Sequence, residues 1–215
     1  MPAYREGHAK PGYCSHTKQG LAVLAPHIVR VPQRQHRHRV VLTYSDARQH
    51  AAILESILSY VKAGSHVLDV GTGAGMFAAM LYHRTGKDGV TVSLSPSTEM
   101  VDLAKHNLIA DGLGPVLQKG RILLIKDDEK SGTMTLLLML SSVIKLGSGY
   151  APCSPYDVIH VTKVMEEIPP QLLTQLASPG RMVIPIRTDR RDAMIQVDKD
   201  VAGNVSQRAI RLVKI

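Results

Sequence analysis

The spacing of hydrophobic positions changes several times along this chain, and each change predicts an element. Through TYSDARQHAAILESILSYV (43–61) the apolar residues Ala51, Ile53, Leu54, Ile57, Leu58 and Val61 recur at helical spacing, with Ser45 or Asp46 placed to cap the start. A short continuous apolar run over 66–70 predicts a buried strand. Three glycines at alternate positions follow it, and MFAAMLYHR then continues as a helix over 75–84. GKDG (86–89) reads as a turn, VTVSL (90–94) as a second strand, and STEMVDLAKHNLIADG (97–112) as a helix that Gly112 stops. RILLIKDD (121–128) and YDVIHV (156–161) supply a third and a fourth strand. PPQLLTQLAS (169–178) is a helix led by proline, and GRMVIPI (180–186) is a fifth strand. AMIQVDKD and QRAIRLVKI, on either side of Gly203–Asn204, predict a terminal antiparallel pair.

Strand and helix alternate through the middle of the chain, so the expected fold is α/β: a doubly wound, mostly parallel sheet covered on both faces, with a C-terminal antiparallel hairpin. In such sheets ligands bind beyond the carboxyl ends of the strands, where the strand order reverses. The glycine turn after the first strand falls at that point. The longest apolar stretch, MTLLLMLSSVIKL (134–146), is shorter than the roughly 18–20 residues a bilayer span needs. It reads as a buried helix inside an insertion over 131–150, and no membrane association is expected.

Composition narrows the class. With 44% hydrophobic and 20% charged residues, the 215-residue chain has the makings of a globular core. Its two cysteines, Cys14 and Cys153, form neither a metal-binding spacing nor a disulfide framework, which points to a reducing compartment. The expected location is cytoplasmic, with mitochondrial as the alternative because the N-terminus is poor in acids.

The net charge of +8 is concentrated at one end. Residues 1–42 carry seven Lys and Arg against the single acid Glu6, and five of the ten histidines, several of them interleaved with arginine in QRQHRHR (33–39). The chain therefore divides into a basic N-terminal arm (1–42) and a folded domain (43–215). Such an arm suits contact with phosphate backbones, and a solvated tail or a targeting segment are the other readings.

The chemistry centres on VLDVGTGAG (67–75). Glycine tolerates positive φ and lets another molecule approach the backbone closely, and a helix that starts there aims unpaired N–H groups at the same place. The spacing is not the G-x-G-x-x-G of dinucleotide sites.

The D-x-G-x-G-x-G form resembles the first motif of the S-adenosylmethionine-dependent methyltransferases. Three further stretches are similar to the protein-L-isoaspartate O-methyltransferases in particular. They are YDVIHV with IPPQLLTQLASPGRMVIPI (156–186), TYSDARQHAAILE (43–55) and AMIQVDKDVAGNVSQRAIRLV (193–213). The resemblance implies a Rossmann-like methyltransferase fold, S-adenosylmethionine as cofactor, and isoaspartyl-containing proteins or peptides as substrates. The product ester would close to a succinimide and reopen, restoring part of the normal aspartate.

The resemblance also implies roles. Ser45 takes the place of the active-site serine, and His50 lies close to the cofactor. Asp69, Gly71, Gly73 and Gly75 form the turn around the methionine portion. Ser95 stands where the family has the acid that holds the ribose hydroxyls. Asp127 and Asp128 follow the third strand beside the adenine, and His160 belongs to the strand whose end lines the substrate cleft. Arg48 is a candidate for gripping an acidic substrate, with a solvent-facing arginine as its ordinary reading. Two other residues also have structural readings: His160 as a hydrogen-bonded core histidine, and Asp69 as a group that orients the turn.

The chain departs from the family pattern at Ser95, at Ala47-Arg48 in place of Pro-His, at KDDEK in place of Gly-Asp-Gly-Arg, and by the extra residues near 131–150. These departures, with the basic arm, leave an alternative: a catalytically weakened methyltransferase fold docked into an RNA-containing assembly through residues 1–42. An RNA methyltransferase is a third alternative, although His160-Val161-Thr162-Lys163 does not resemble the N/D-P-P-[YF] signature of base amino-group methylation.

Overall fold

A computed structural model describes residues 47–126, 146–188 and 192–210, with the backbone alone for 47–51. The elements in chain order are α1 (Ala47–Ile57), β1 (His66–Val70), α2 (Met76–Thr85), β2 (Val90–Ser95), α3 (Thr98–Ala110), α4 (Gly114–Gln118), β3 (Ile122–Lys126), β4 (Tyr156–Val161), α5 (Pro170–Gln175), β5 (Leu176–Ile186), β6 (Ala193–Lys199) and β7 (Val205–Ile210). The strands form one seven-stranded sheet in the order β3-β2-β1-β4-β5-β6-β7. From β3 to β5 all neighbours run parallel, while β6 and β7 add an antiparallel hairpin at one edge.

The central strands are covered on both faces. Every residue of β1 and of β2 is buried, the polar His66, Asp69, Thr91, Ser93 and Ser95 as well as the aliphatic ones. On one face Val67, Val158 and Val183 of the sheet meet Ile53 and Ile57 of α1 and Phe77 and Leu81 of α2. On the other face Leu68, Val70, Val92, Leu94, Ile159 and Val161 pack with Tyr156 and with Leu172 of α5. Ala78, Leu108, Leu113 and Ile122 close a third cluster where α2, α3 and β3 meet. Each aliphatic side chain taken fully out of water contributes about 1.5–3 kcal/mol, so three contiguous clusters hold the sheet without disulfide or metal support among the described residues.

Two elements differ from the sequence expectation. A five-residue helix, α4, occupies GPVLQ, where Pro115 sits in the first turn and suits a helix start. Strand β5 begins at Leu176 rather than Gly180, so the preceding helix is shorter than predicted. Tyr156 of β4 pairs with Leu176, and the register then shifts before Val158 pairs with Arg181. The ladder thus extends through a Pro-Gly that reads as a turn in isolation. The predicted helix at 134–146 and the arm over 1–42 lie outside the described residues. No helix of the described residues is long and apolar enough to cross a membrane.

Candidate functional site

The chain runs outward from β1 through β2 to β3, then returns to β4 on the other side of β1, so the strand order reverses between β1 and β4. The glycine turn leaves β1 at that crevice. Gly71, Gly73 and Gly75 have φ of 107°, 51° and 89°, all in the left-handed region where a side chain is strained. The turn is tied to three neighbours. The N–H groups of Gly71 and Thr72 both donate to Leu94 O on β2, at 2.9 Å each. Asn107 Nδ2 on α3 donates to Ala74 O at 2.9 Å. From β4, Thr162 N–H donates to Val70 O at 2.9 Å, and its hydroxyl lies 3.0 Å from Val70 O and 3.3 Å from Gly71 O.

The three glycines do different work. A Cβ at Gly71 would lie 1.8 Å from Thr162 Oγ1, and one at Gly75 would lie 3.1 Å from Ala104 Cβ and 3.2 Å from its backbone. Those two are glycines because the protein crowds them. At Gly73 nothing among the described residues stands within 4 Å. This glycine leaves open space, so the middle of the turn is a cradle that a bound molecule can approach. Thr72 carries a buried hydroxyl with no partner among the described residues. Helix α2 starts directly behind Gly75 with no side-chain cap, leaving its first N–H groups for the same region. These features fit the methionine portion of S-adenosylmethionine.

Asp69 does not face that cradle. It is fully buried, with Oδ1 2.9 Å from His160 Nδ1 and Oδ2 accepting from Ser93 Oγ at 3.1 Å. Both carboxylate oxygens are therefore engaged inside the sheet, the geometry of a group that orients the turn. The expectation that His160 lines the substrate cleft is corrected in the same way. Its ring is wholly buried and lies 4.2 Å from the Phe77 ring, centroid to centroid. It is the hydrogen-bonded core histidine that the sequence also allowed.

The opposite end of the crevice is set by Ser95, at the end of β2. Its side chain is buried and lies 3.4 Å from both Ser97 N and Ser97 O. Ser97 in turn caps α3, its hydroxyl oxygen accepting from Met100 N at 3.1 Å. Strand β2 itself ends in this serine and not in a carboxylate. The nearby Glu99 carboxyl is exposed. Its own backbone N–H, then the Ser97 hydroxyl and the Lys126 charge, hold its pKa below the ordinary carboxylate value.

Of the remaining expected site residues, Arg48 and His50 fall in α1, whose backbone alone is described at those positions. Ser45, Asp127 and Asp128 lie outside the described residues. Two residues that hold the turn went unnoticed in the sequence, Thr162 and Asn107. Asn107 did carry a signal: it is a polar residue on the buried stripe that Ala104 and Leu108 define.

The doubly wound sheet, its C-terminal antiparallel hairpin and the glycine turn after β1 are those of a Rossmann-like methyltransferase fold. The same architecture is found in a structure described as a protein-L-isoaspartate O-methyltransferase from Plasmodium falciparum in complex with S-adenosyl-L-homocysteine. It superposes with a TM-score of 0.63 at 20% identity, over 82% of this chain and 75% of that one. Residues 32–214 match the family model for protein-L-isoaspartate(D-aspartate) O-methyltransferase, and the chain belongs to that family. Its cofactor is S-adenosylmethionine.

Among curated relatives, the protein-L-isoaspartate O-methyltransferase of Caenorhabditis elegans is 28% identical over 169 residues, covering 78% of this chain and 67% of that protein. That of Triticum aestivum is 31% identical over 166 residues, covering 77% and 64%. The chain thus spans about two thirds of the length of the relatives it matches.

Proposed function

We propose that this protein is an S-adenosylmethionine-dependent carboxyl methyltransferase that acts on L-isoaspartyl residues of damaged proteins. The observation that carries the reading is the opening at Gly73, within a turn tied down on every other side. The cofactor supplies a methyl group on a sulfonium centre. The substrate carboxylate is ionised at neutral pH and needs no general base. What the protein contributes is alignment and exclusion of water. The Gly71–Gly75 turn holds the methionine portion, and Ser45 holds the substrate by a hydrogen bond.

The test is a calorimetric titration with S-adenosylhomocysteine, followed by methylation of an isoaspartyl peptide beside its normal-aspartyl twin. Micromolar binding and methylation of the isoaspartyl peptide alone are expected, and Gly73→Arg, which fills the opening, abolishes both. Absence of binding up to about a millimolar, less than roughly 4 kcal/mol of affinity, removes the enzyme reading.

A further inference from the structure

The peptide unit between Gly71 and Thr72 is held at both ends by different strands. Its carbonyl, Gly71 O, lies 3.3 Å from Thr162 Oγ1, just beyond the end of β4. Its amide, Thr72 N–H, donates to Leu94 O on β2 at 2.9 Å. A peptide unit that follows a glycine has more freedom to turn over than one between two side-chain-bearing residues, and Gly71 at φ 107° supplies that freedom on one side. Turning this unit over would break the Thr162 and the Leu94 contacts together. Thr162 is an exposed residue at the mouth of the crevice, yet its hydroxyl is directed at backbone carbonyls. Its Oγ1 also occupies the volume where any Cβ on Gly71 would sit. The single hydroxyl proton is shared between Val70 O at 3.0 Å and Gly71 O at 3.3 Å. Val70 O is also served by the Thr162 N–H, so Gly71 O is the carbonyl that depends on the hydroxyl.

We propose that Thr162 is a positioning residue for the cofactor turn, its hydroxyl fixing the plane of the Gly71–Thr72 peptide and with it the face that the turn presents to the ligand. This deepens the methyltransferase reading and rests on it for the ligand's identity, though not for the fixing of the peptide. The side chain reaches the ligand through the turn and touches no reacting atom. Asn107 holds the far end of the same turn at Ala74 O, so loosening of the first peptide should stay local.

The experiment measures amide hydrogen exchange in the ligand-free protein for the wild type, Thr162→Val and Thr162→Ser. Valine keeps the shape and removes the donor, while serine keeps the donor. Thr72 N–H should exchange about tenfold faster in Thr162→Val, as expected for loss of one hydrogen bond. Leu68 and Val92 inside β1 and β2 should be unchanged, and Thr162→Ser should behave as wild type. Unaltered Thr72 exchange in Thr162→Val overturns the proposal.

The same three proteins are then titrated with S-adenosylhomocysteine. A loss of about tenfold in Thr162→Val alone supports the positioning role, and equal affinity in Thr162→Val and wild type overturns it. A wild type that binds no S-adenosylhomocysteine defeats the methyltransferase reading, while the exchange measurement still decides whether Thr162 fixes the peptide.

Discussion

Asp69 and His160 are neighbours across the β1–β4 ladder, and their side chains meet inside the sheet with Oδ1 2.9 Å from Nδ1. They are 91 residues apart in sequence. An ionised Asp69 can only accept, so the shared proton lies on His160 Nδ1. Ser93 from β2 occupies the second carboxylate oxygen. Three adjacent parallel strands are thereby cross-linked one layer beneath the glycine turn.

Removing the histidine should therefore cost more than its volume. His160→Leu leaves a buried carboxylate oxygen without a donor, a loss of roughly 2–4 kcal/mol. His160→Asn, which offers an amide N–H near the Nδ1 position, should recover about half of it. Urea unfolding of both variants checks this. Equal destabilisation by Leu and Asn would mean that packing against Phe77, not the hydrogen bond, is what His160 supplies.

The three glycines should separate into two kinds under alanine substitution. Gly71→Ala combines left-handed strain of about 1–2 kcal/mol with a collision at 1.8 Å against Thr162 Oγ1, and should lower the unfolding midpoint most. Gly73→Ala carries only the strain, since nothing among the described residues lies within 4 Å of its Cβ. Its main effect should be on S-adenosylhomocysteine affinity, because the new methyl group enters the opening. Unfolding and titration on both variants separate the two, and equal loss of stability would contradict the assignment.

Much of the architecture was legible because short segments rich in Val and Leu, HVLDV and VTVSLS, alternate with segments of helical spacing. The start of β5 was not. Leu176 is drawn into the ladder by Tyr156, a tertiary pairing that overrides the local turn signal of Pro179-Gly180. At the site, the glycine spacing marked the turn, but it could not distinguish Gly73, which faces open space, from Gly71 and Gly75, which face protein atoms. Nor could spacing tell that Asp69 turns inward, since its partners come from two other strands. Thr162 was passed over because it acts on backbone carbonyls, which carry no sequence identity.

Ser95 stands where the family pattern has an acid, and its hydroxyl lies among the Ser97 backbone groups. A ribose placed at this strand end would meet the neutral Ser95 hydroxyl in place of a carboxylate. Ser95→Asp should restore a charge-assisted bond, worth about 1.5–3 kcal/mol before the cost of seating a carboxylate at a buried position. The expected net gain in S-adenosylhomocysteine affinity is about tenfold, accompanied by a small loss of stability without ligand. A titration showing unchanged or weaker binding would mean that the ribose is held elsewhere.

Helix α1, whose first turn carries Arg48 and His50, is fastened at its far end by Arg181 of β5. The guanidinium donates to Ser56 O, stacks 4.5 Å from the centre of the Tyr60 ring, and grips Asp198 of β6 through Nε at 2.6 Å and Nη2 at 2.8 Å. Gln196 Nε2 also donates to Asp198 Oδ2, at 2.7 Å. Burial works to raise the Asp198 pKa, but the Arg181 and Gln196 hydrogen bonds and the charges of Arg181 and Arg208 outweigh it, leaving it below the ordinary 3.8.

The unfolded chain therefore takes up this proton more readily than the folded one. The resulting stabilisation is complete above pH 3.8 and is lost as pH falls through the lower folded value. Asp198→Asn should be less stable than wild type at neutral pH, and the gap should narrow as pH falls below 3.8. Arg181→Lys keeps the charge but gives up the fork and the flat stacking surface, for a loss of roughly 1–2 kcal/mol at this partly exposed pair. Denaturant midpoints across that pH range test both. A gap between wild type and Asp198→Asn that stays constant with pH would show that the pair adds geometry to the α1 attachment but no proton-linked stability.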